Sequence, residues 1–240
     1  MSTPNPTLHY LYDPLCGWCY GAAPLIEAAR AIPGLDIALH GGGMMANGNR
    51  QPVTDALRRY VMPHDERIAG LTGQPFGEDY FNGLLRDTGA VFDSEPPITA
   101  ILAAQSLGGR GPDLLARIQR AHYVQGLRIA DPAVLATLAA DIGLDPAAFE
   151  RVFGGQGAET AAHIAASRQL LARLGGTGFT LALERGGACT LLEPSRYLGR
   201  PLAGRSARAH RLGPVRPGRP APAARRSRPC PAARQRRGCC

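Results

Sequence analysis

The sequence predicts an α/β fold in which one four-stranded sheet is interrupted by a helical insertion. Three observations carry this reading. An aromatic apolar run, a short turn, a helical stretch and an alternating strand follow one another over residues 8–40, as a β-α-β unit does. Strand patterns then vanish from residue 44 to about residue 173, where helical periodicity repeats with short breaks. Strand character returns at Gly178-Phe179-Thr180-Leu181-Ala182-Leu183, and Gly186-Gly187 and Ala188-Cys189-Thr190-Leu191-Leu192 complete a hairpin.

Taken in order, residues 8–12 form the first strand and residues 17–32 a helix that carries Pro24 inside it. A proline there removes a backbone donor, so the helix is expected to kink. Pro33-Gly34 ends it, and Leu35, Ile37 and Leu39 alternate with Asp36, Ala38 and His40 as a second strand. Gly41-Gly42-Gly43 allows a sharp turn. The crossover rule makes these two strands parallel. Helices are expected at 53–60, 63–71, 77–87, 98–107, 112–125, 132–141, 146–153 and 159–174. Asp131-Pro132 and Asp145-Pro146 each set a capping carboxylate before a proline at the first helical position, where its missing N–H costs nothing. Leu114, Leu115, Ile118, Ala121 and His122 line one helix face, and Val134, Leu135, Leu138 and Ile142 another; both read as core.

The chemistry begins at Cys16-Gly17-Trp18-Cys19. A strand, a turn and a helix with C-x-x-C at the helix start is the redox form of this motif. Unpaired N–H groups and the positive dipole end at a helix start favour a thiolate over a thiol. The N-terminal residues show no charged stretch followed by an apolar run, and no stretch approaches the roughly 18 apolar residues of a membrane helix. A cytoplasmic location without membrane contact is therefore expected. Thiols stay reduced there, so a close pair reads as catalytic, redox-sensing or metal-binding before it reads as a structural staple. Cys189 stands alone, and His40 is the one histidine placed to complete a zinc set beside the pair. A zinc site is thus the weaker reading, and His40 reads as a satisfied polar residue. Neither metal nor cofactor is expected.

The formal charge of +8 is unevenly spread. Eleven of the 27 basic residues fall after residue 202 with no acid among them, which leaves 16 arginines against all 19 acids in residues 1–202, a net of −3. Of the 38 residues from Ala203 onward, 29 are Arg, Pro, Ala or Gly, a composition that cannot offset the entropy of ordering. A disordered tail is expected at 203–240, in the vocabulary of a GC-rich gene read out of frame. The competing reading is a basic tail that binds RNA or another polyanion. Nucleic-acid binding is expected nowhere else.

Asp-Pro-Leu-Cys-Gly-Trp-Cys-Tyr-Gly at 13–21, the helical block, and Leu-Glu-Pro-Ser-Arg-Tyr-Leu-Gly-Arg-Pro at 192–201 together resemble the DsbA-type thioredoxin-fold oxidoreductases. Within them the chain is most similar to the FrnE-like group, described as predicted protein disulfide isomerases. The resemblance spans roughly residues 7–201, and Pro24 matches the proline that kinks the active-site helix of such proteins. It implies a thioredoxin-like fold with an inserted α-helical domain. The halves would be 7–43 and 157–202, the insertion 44–156 and the tail 203–240. It implies dithiol/disulfide exchange with protein or small-thiol disulfides, with Cys16 as exposed nucleophile and Cys19 as buried resolving thiol. Helix-start chemistry assigns the same roles.

Gly17 permits close backbone approach, and Trp18 offers an apolar contact or packs as a turn aromatic. Asp13 reads as a turn former or as a proton acceptor near Cys19. Gly178, Phe179 and Thr180 form the substrate loop, where the family usually shows Gly-Phe-Pro-Thr. Without that proline the loop is expected to be trans and reshaped, with weaker substrate contact and easier metal capture by the cysteines. The family's final helix has no counterpart in 203–240, which predicts a marginally stable C-terminal edge. Two other functions compete with disulfide exchange. One is a glutathione-dependent 2-hydroxychromene-2-carboxylate isomerase, which generally carries Ser where Cys16 stands; the other is a non-enzymatic metal- or polyanion-binding protein.

Overall fold

In a computed structural model, which describes residues 4–199, β1 (Thr7–Tyr12) is one of the two interior strands of the sheet. The basic tail at 203–240, with Cys230, Cys239 and Cys240, lies outside the described residues, and so do Arg200 and Pro201. β2 (Asp36–Gly41) pairs with β1 in parallel, β5 (Thr180–Arg185) pairs with its other side antiparallel, and β6 (Ala188–Leu192) closes the order β2-β1-β5-β6. Leu8, Tyr10 and Tyr12 are buried on one face of β1. Gly186 and Gly187 both have positive φ, 56° and 80°, the backbone that a two-residue hairpin turn needs. All five residues of β6 are exposed, Leu191 and Leu192 included.

The expected helix at 17–32 is two helices, α1 (Gly17–Gly21) and α2 (Ala23–Arg30), separated at Ala22. Pro24 lies in the first turn of α2, where it needs no intrahelical donor. The interruption therefore precedes the proline, in place of a kink within one helix.

Thr54 caps α3 (Asp55–Thr72) by accepting from the Leu57 amide at 3.1 Å. This single 18-residue helix replaces the two expected at 53–60 and 63–71. Pro63 leaves the Arg59 carbonyl without its helical donor, but both residues lie on the exposed side and the helix runs through. The helix expected at 77–87 is instead a π-helical turn (Asp79–Gly83) followed by a 3₁₀ turn (Leu84–Arg86). The wider turn brings Tyr80, Leu84 and Leu85 all inside, a set that α-helical spacing would splay.

A short ladder of β3 (Gln51–Pro52) with β4 (Val91–Phe92), absent from the sequence expectations, closes this region. Five helices follow: α4 (Glu95–Ser106), α5 (Gly111–Tyr123), α6 (Pro132–Asp141), α7 (Pro146–Gly155) and α8 (Gly157–Leu174). α4 is the hub; its Ala100, Ala103 and Ala104 are fully buried and admit α5, α6, α7 and α8 around it. Asp131 and Asp145 accept from the amides of Ala133 (2.9 Å) and Ala148 (2.8 Å), caps worth about 1 kcal/mol each. Among the described residues no helix is long and apolar enough to cross a membrane.

Candidate active site

β1 delivers the chain to a turn at Pro14-Leu15, and α1 begins directly after Cys16. Cys16 is the N-cap: its Sγ accepts the Cys19 amide at 3.3 Å. Both cysteines sit at the first helical turn and line the same cavity. Cys16 is half-buried and Cys19 has no solvent exposure. Burial pushes the Cys19 thiol well above its ordinary range, and the neighbouring Cys16 sulfur adds to the shift. At neutral pH Cys19 is thus a thiol, and the accessible sulfur belongs to Cys16.

Two glycines let the helical insertion reach the motif. A Cβ on Gly17 would lie 2.6 Å from Asp65 Oδ1 and 2.9 Å from Ile68 Cδ1, and one on Gly21 would lie 2.8 Å from Ile68 Cγ2. α3 therefore presses its only two buried residues, Asp65 and Ile68, onto a smooth stripe of α1. Asp65 is 5% exposed; burial raises its carboxyl to about 6, against the opposing hydrogen bond donated by Tyr80 Oη at 2.8 Å. A carboxyl group beside the redox helix has no signal in the sequence, since Asp65 sits in a run of polar residues typical of an exposed face.

Asp13, also buried, ties three segments together. Its carboxylate accepts from the Leu15 amide (2.9 Å), the Met44 amide (2.6 Å) and Ser94 Oγ (2.9 Å), while its own amide donates to Cys19 Sγ at 3.5 Å. Burial raises its pKa, with these three donors and the Arg168 charge opposing. The carboxylate is engaged as an organiser of the loop, and the atom facing the Cys19 sulfur is the backbone nitrogen. Arg168 of α8 donates to the carbonyls of Gly42 (2.9 Å) and Gly43 (2.6 Å), which holds the turn after β2 against the same site.

A cavity of about 220 Å³ opens over the sulfurs. Asp13, Cys16, Cys19, Gly178 and Phe179 line it together with Leu11, Tyr12, Gly42, Met44, Ser167, Arg168 and Leu171. Gly17, Trp18, Pro24 and Thr180 lie outside its lining: Trp18 is half-buried and Thr180 begins β5 as a buried residue. Phe179 meets Tyr10 edge-on at 5.9 Å, and Tyr10 Oη donates to the Cys19 carbonyl at 3.2 Å, so the 178–180 loop and α1 share one aromatic support. Every described peptide bond is trans, including Phe179–Thr180. The hydroxyls of Tyr12 and Ser167 are buried without a hydrogen-bond partner among the described residues. Met44, Ser167 and Arg168 join the site from distant segments that the motif alone does not indicate. His40 is away from the cysteines, paired with His9 at 2.9 Å.

No protein-family model matches the chain, and neither does any curated protein sequence. Solved structures do. The chain is similar to the cytosolic disulfide reductase DsbM from Pseudomonas aeruginosa, with 60% identity and a TM-score of 0.77 over 81% of this chain and 93% of that one. The same reductase determined with GSH aligns at 58% identity and a TM-score of 0.73, with the same coverage. A putative protein disulfide isomerase from Nitrosomonas europaea is 32% identical, with a TM-score of 0.68 over 79% of this chain and 89% of that one.

Proposed function

The chain belongs to the DsbA-type thioredoxin-fold thiol-disulfide oxidoreductases, and on that premise we propose that it is a cytosolic disulfide reductase with Cys16 as nucleophile and Cys19 as resolving thiol. The observation that carries the assignment of roles is the contrast between the sulfurs. Both cysteines line the cavity, but Cys16 is partly exposed and its Sγ accepts a backbone N–H, whereas Cys19 has no solvent exposure and burial holds it as a thiol.

The exchange follows from this arrangement. The Cys16 thiolate attacks one sulfur of a substrate disulfide; the S–S bond breaks, and the departing thiolate takes a proton from solvent. Cys19 then loses its proton and attacks Cys16 Sγ, which breaks the mixed disulfide, releases the second substrate thiol and leaves Cys16 and Cys19 joined. As the Cys19 thiolate forms, the Asp13 amide is the donor already directed at its sulfur. Asp13 thereby acts as a positioning residue, and Gly17 serves by admitting α3. Gly178 and Phe179 form the cavity wall against which the substrate lies, with Thr180 anchoring that loop in the sheet.

The reductase direction rests on kinship: the 60% identical relative is a reductase. A small thiol fits the cavity's size, and the related reductase has been determined with GSH.

The test is redox equilibration with glutathione. A potential in the reductase range, near thioredoxin's roughly −270 mV, is expected, together with reduction of glutathione mixed disulfides that Cys16→Ser abolishes. A potential close to the roughly −120 mV of strong oxidants would overturn the direction, and activity that survives Cys16→Ser would overturn the assignment of the nucleophile.

A further inference from the structure

The sheet pleat sends His9 to the face opposite Tyr10, away from the cysteine motif and toward α8. On that face three adjacent strands bring three different ligand types together: the His9 imidazole from β1, the Glu184 carboxylate from β5 and the Cys189 thiol from β6. The register accounts for the meeting. Glu184 stands directly across from Cys189 on one side and from Thr7 on the other, which makes His9 its diagonal neighbour. A nitrogen, an oxygen and a sulfur from this trio lie within 4.8 Å of one another, and His9 Nε2 is 2.8 Å from Glu184 Oε2.

We propose that His9, Glu184 and Cys189 form a zinc site with an open fourth position. Bond lengths of about 2.0–2.3 Å to zinc place tetrahedral ligand atoms about 3.3–3.8 Å apart, so the cluster needs only side-chain adjustment. Strands fix the Cα positions, and a rigid frame of this kind suits a metal site better than a loop. Thiolate, imidazole and carboxylate together suit zinc, whereas magnesium and calcium demand oxygen ligands.

The second layer is also in place. His9 Nδ1 is 2.9 Å from His40 Nε2, so with zinc on Nε2 the ring keeps its proton on Nδ1 with an acceptor in place, and the Nε2–Glu184 hydrogen bond at 2.8 Å gives way to the metal. His40 in turn stacks on His163 at 6.5 Å, and His163 Nε2 accepts the Gly41 amide at 2.9 Å, which locks the row of rings. Cys189 is exposed and the Glu184 side chain is 40% exposed, which gives the ion a way in and water access to the fourth position. Binding is not a redox step: Cys189 releases its thiol proton to solvent and its sulfur bonds to zinc. None of the three ligands lines the Cys16 cavity.

The test uses the full-length chain with Cys16→Ser and Cys19→Ser, which removes the active-site thiols as competitors. After zinc loading and desalting, this protein should hold one more equivalent than the same protein with Cys189→Ser added. Cobalt in place of zinc should give a thiolate-to-cobalt charge-transfer band that Cys189→Ser abolishes. His9→Gln and Glu184→Gln should each weaken zinc binding about tenfold or more. Glu184→Gln, at a partly exposed position, decides the point if His9→Gln disturbs the sheet. Zinc content and cobalt spectrum unchanged by Cys189→Ser, as expected if other cysteines held the ion, would overturn the site, as would unchanged affinity in Glu184→Gln.

Discussion

Asp65→Asn tests how the helical insertion bears on the redox helix. Burial raises the Asp65 carboxyl from 3.8 to about 6, so its charged form costs free energy in the folded protein. The folded pKa lies above the unfolded one; the folded state therefore binds the proton more tightly, and stability is lost as pH rises through the interval from 3.8 to about 6. At about 1.36 kcal/mol per unit, the cost is roughly 3 kcal/mol at pH 7.5 and about 1.6 kcal/mol at pH 5. Asparagine keeps the shape, cannot ionise, and still offers an oxygen to the Tyr80 hydroxyl that now donates to Oδ2. Asp65→Asn should accordingly stabilise the reduced protein by about 3 kcal/mol at pH 7.5, and by about half of that near pH 5. Urea unfolding of both proteins at pH 5, 6 and 7.5 measures this, and the histidine titrations they share cancel in the difference. A mutant no more stable at pH 7.5, or a gain that does not shrink toward pH 5, refutes the reasoning.

Other perturbations have equally definite outcomes. Cys19→Ser should stop exchange at the first step and accumulate a Cys16 mixed disulfide with glutathione, visible by peptide mass mapping as an adduct on Cys16 itself; no adduct trapped on Cys16 would contradict the resolving role. Gly17→Ala introduces a Cβ into the contact with Asp65 and Ile68, so about 1–3 kcal/mol of stability should be lost, and an unchanged denaturation midpoint would show that α3 does not press on α1. Asp13→Asn turns one acceptor toward amide donors and should cost about 2 kcal/mol with slower exchange; wild-type rate and stability together would remove Asp13 from the machinery. His122 is buried among Tyr80, Phe92 and Tyr123, and burial lowers its pKa from 6.5 to about 3. The folded state here resists the proton, so this group's contribution falls as pH drops below 6.5, by about 2 kcal/mol at pH 5. His122→Leu should abolish that loss in unfolding titrations, and a mutant with the wild-type acid slope would contradict it.

The features legible from the sequence are those whose chemistry is local. Alternation of apolar residues placed the parallel strand pair and the C-terminal hairpin; aspartate before proline marked the starts of α6 and α7; and the two-residue spacing put Cys16 and Cys19 on one helical turn. Each rests on contacts spanning a few residues, which is the range that pattern and propensity report. Tertiary structure decided the rest. Pro63 interrupts no helix, and both it and Arg59, whose carbonyl it leaves without a helical donor, lie on the side of α3 that the rest of the chain leaves open. The segment at 79–86 winds wider than an α-helix because Tyr80, Leu84 and Leu85 must all turn inward against neighbours remote in sequence. Asp65 becomes a weak acid, and Asp13 a three-way tie, only through burial and donors supplied from as far away as Ser94. The Cys16–Cys19 pair states the reaction in four residues. Its surroundings, Met44, Ser167, Arg168 and Phe179 around one cavity, are assembled by long-range packing, which no local pattern encodes.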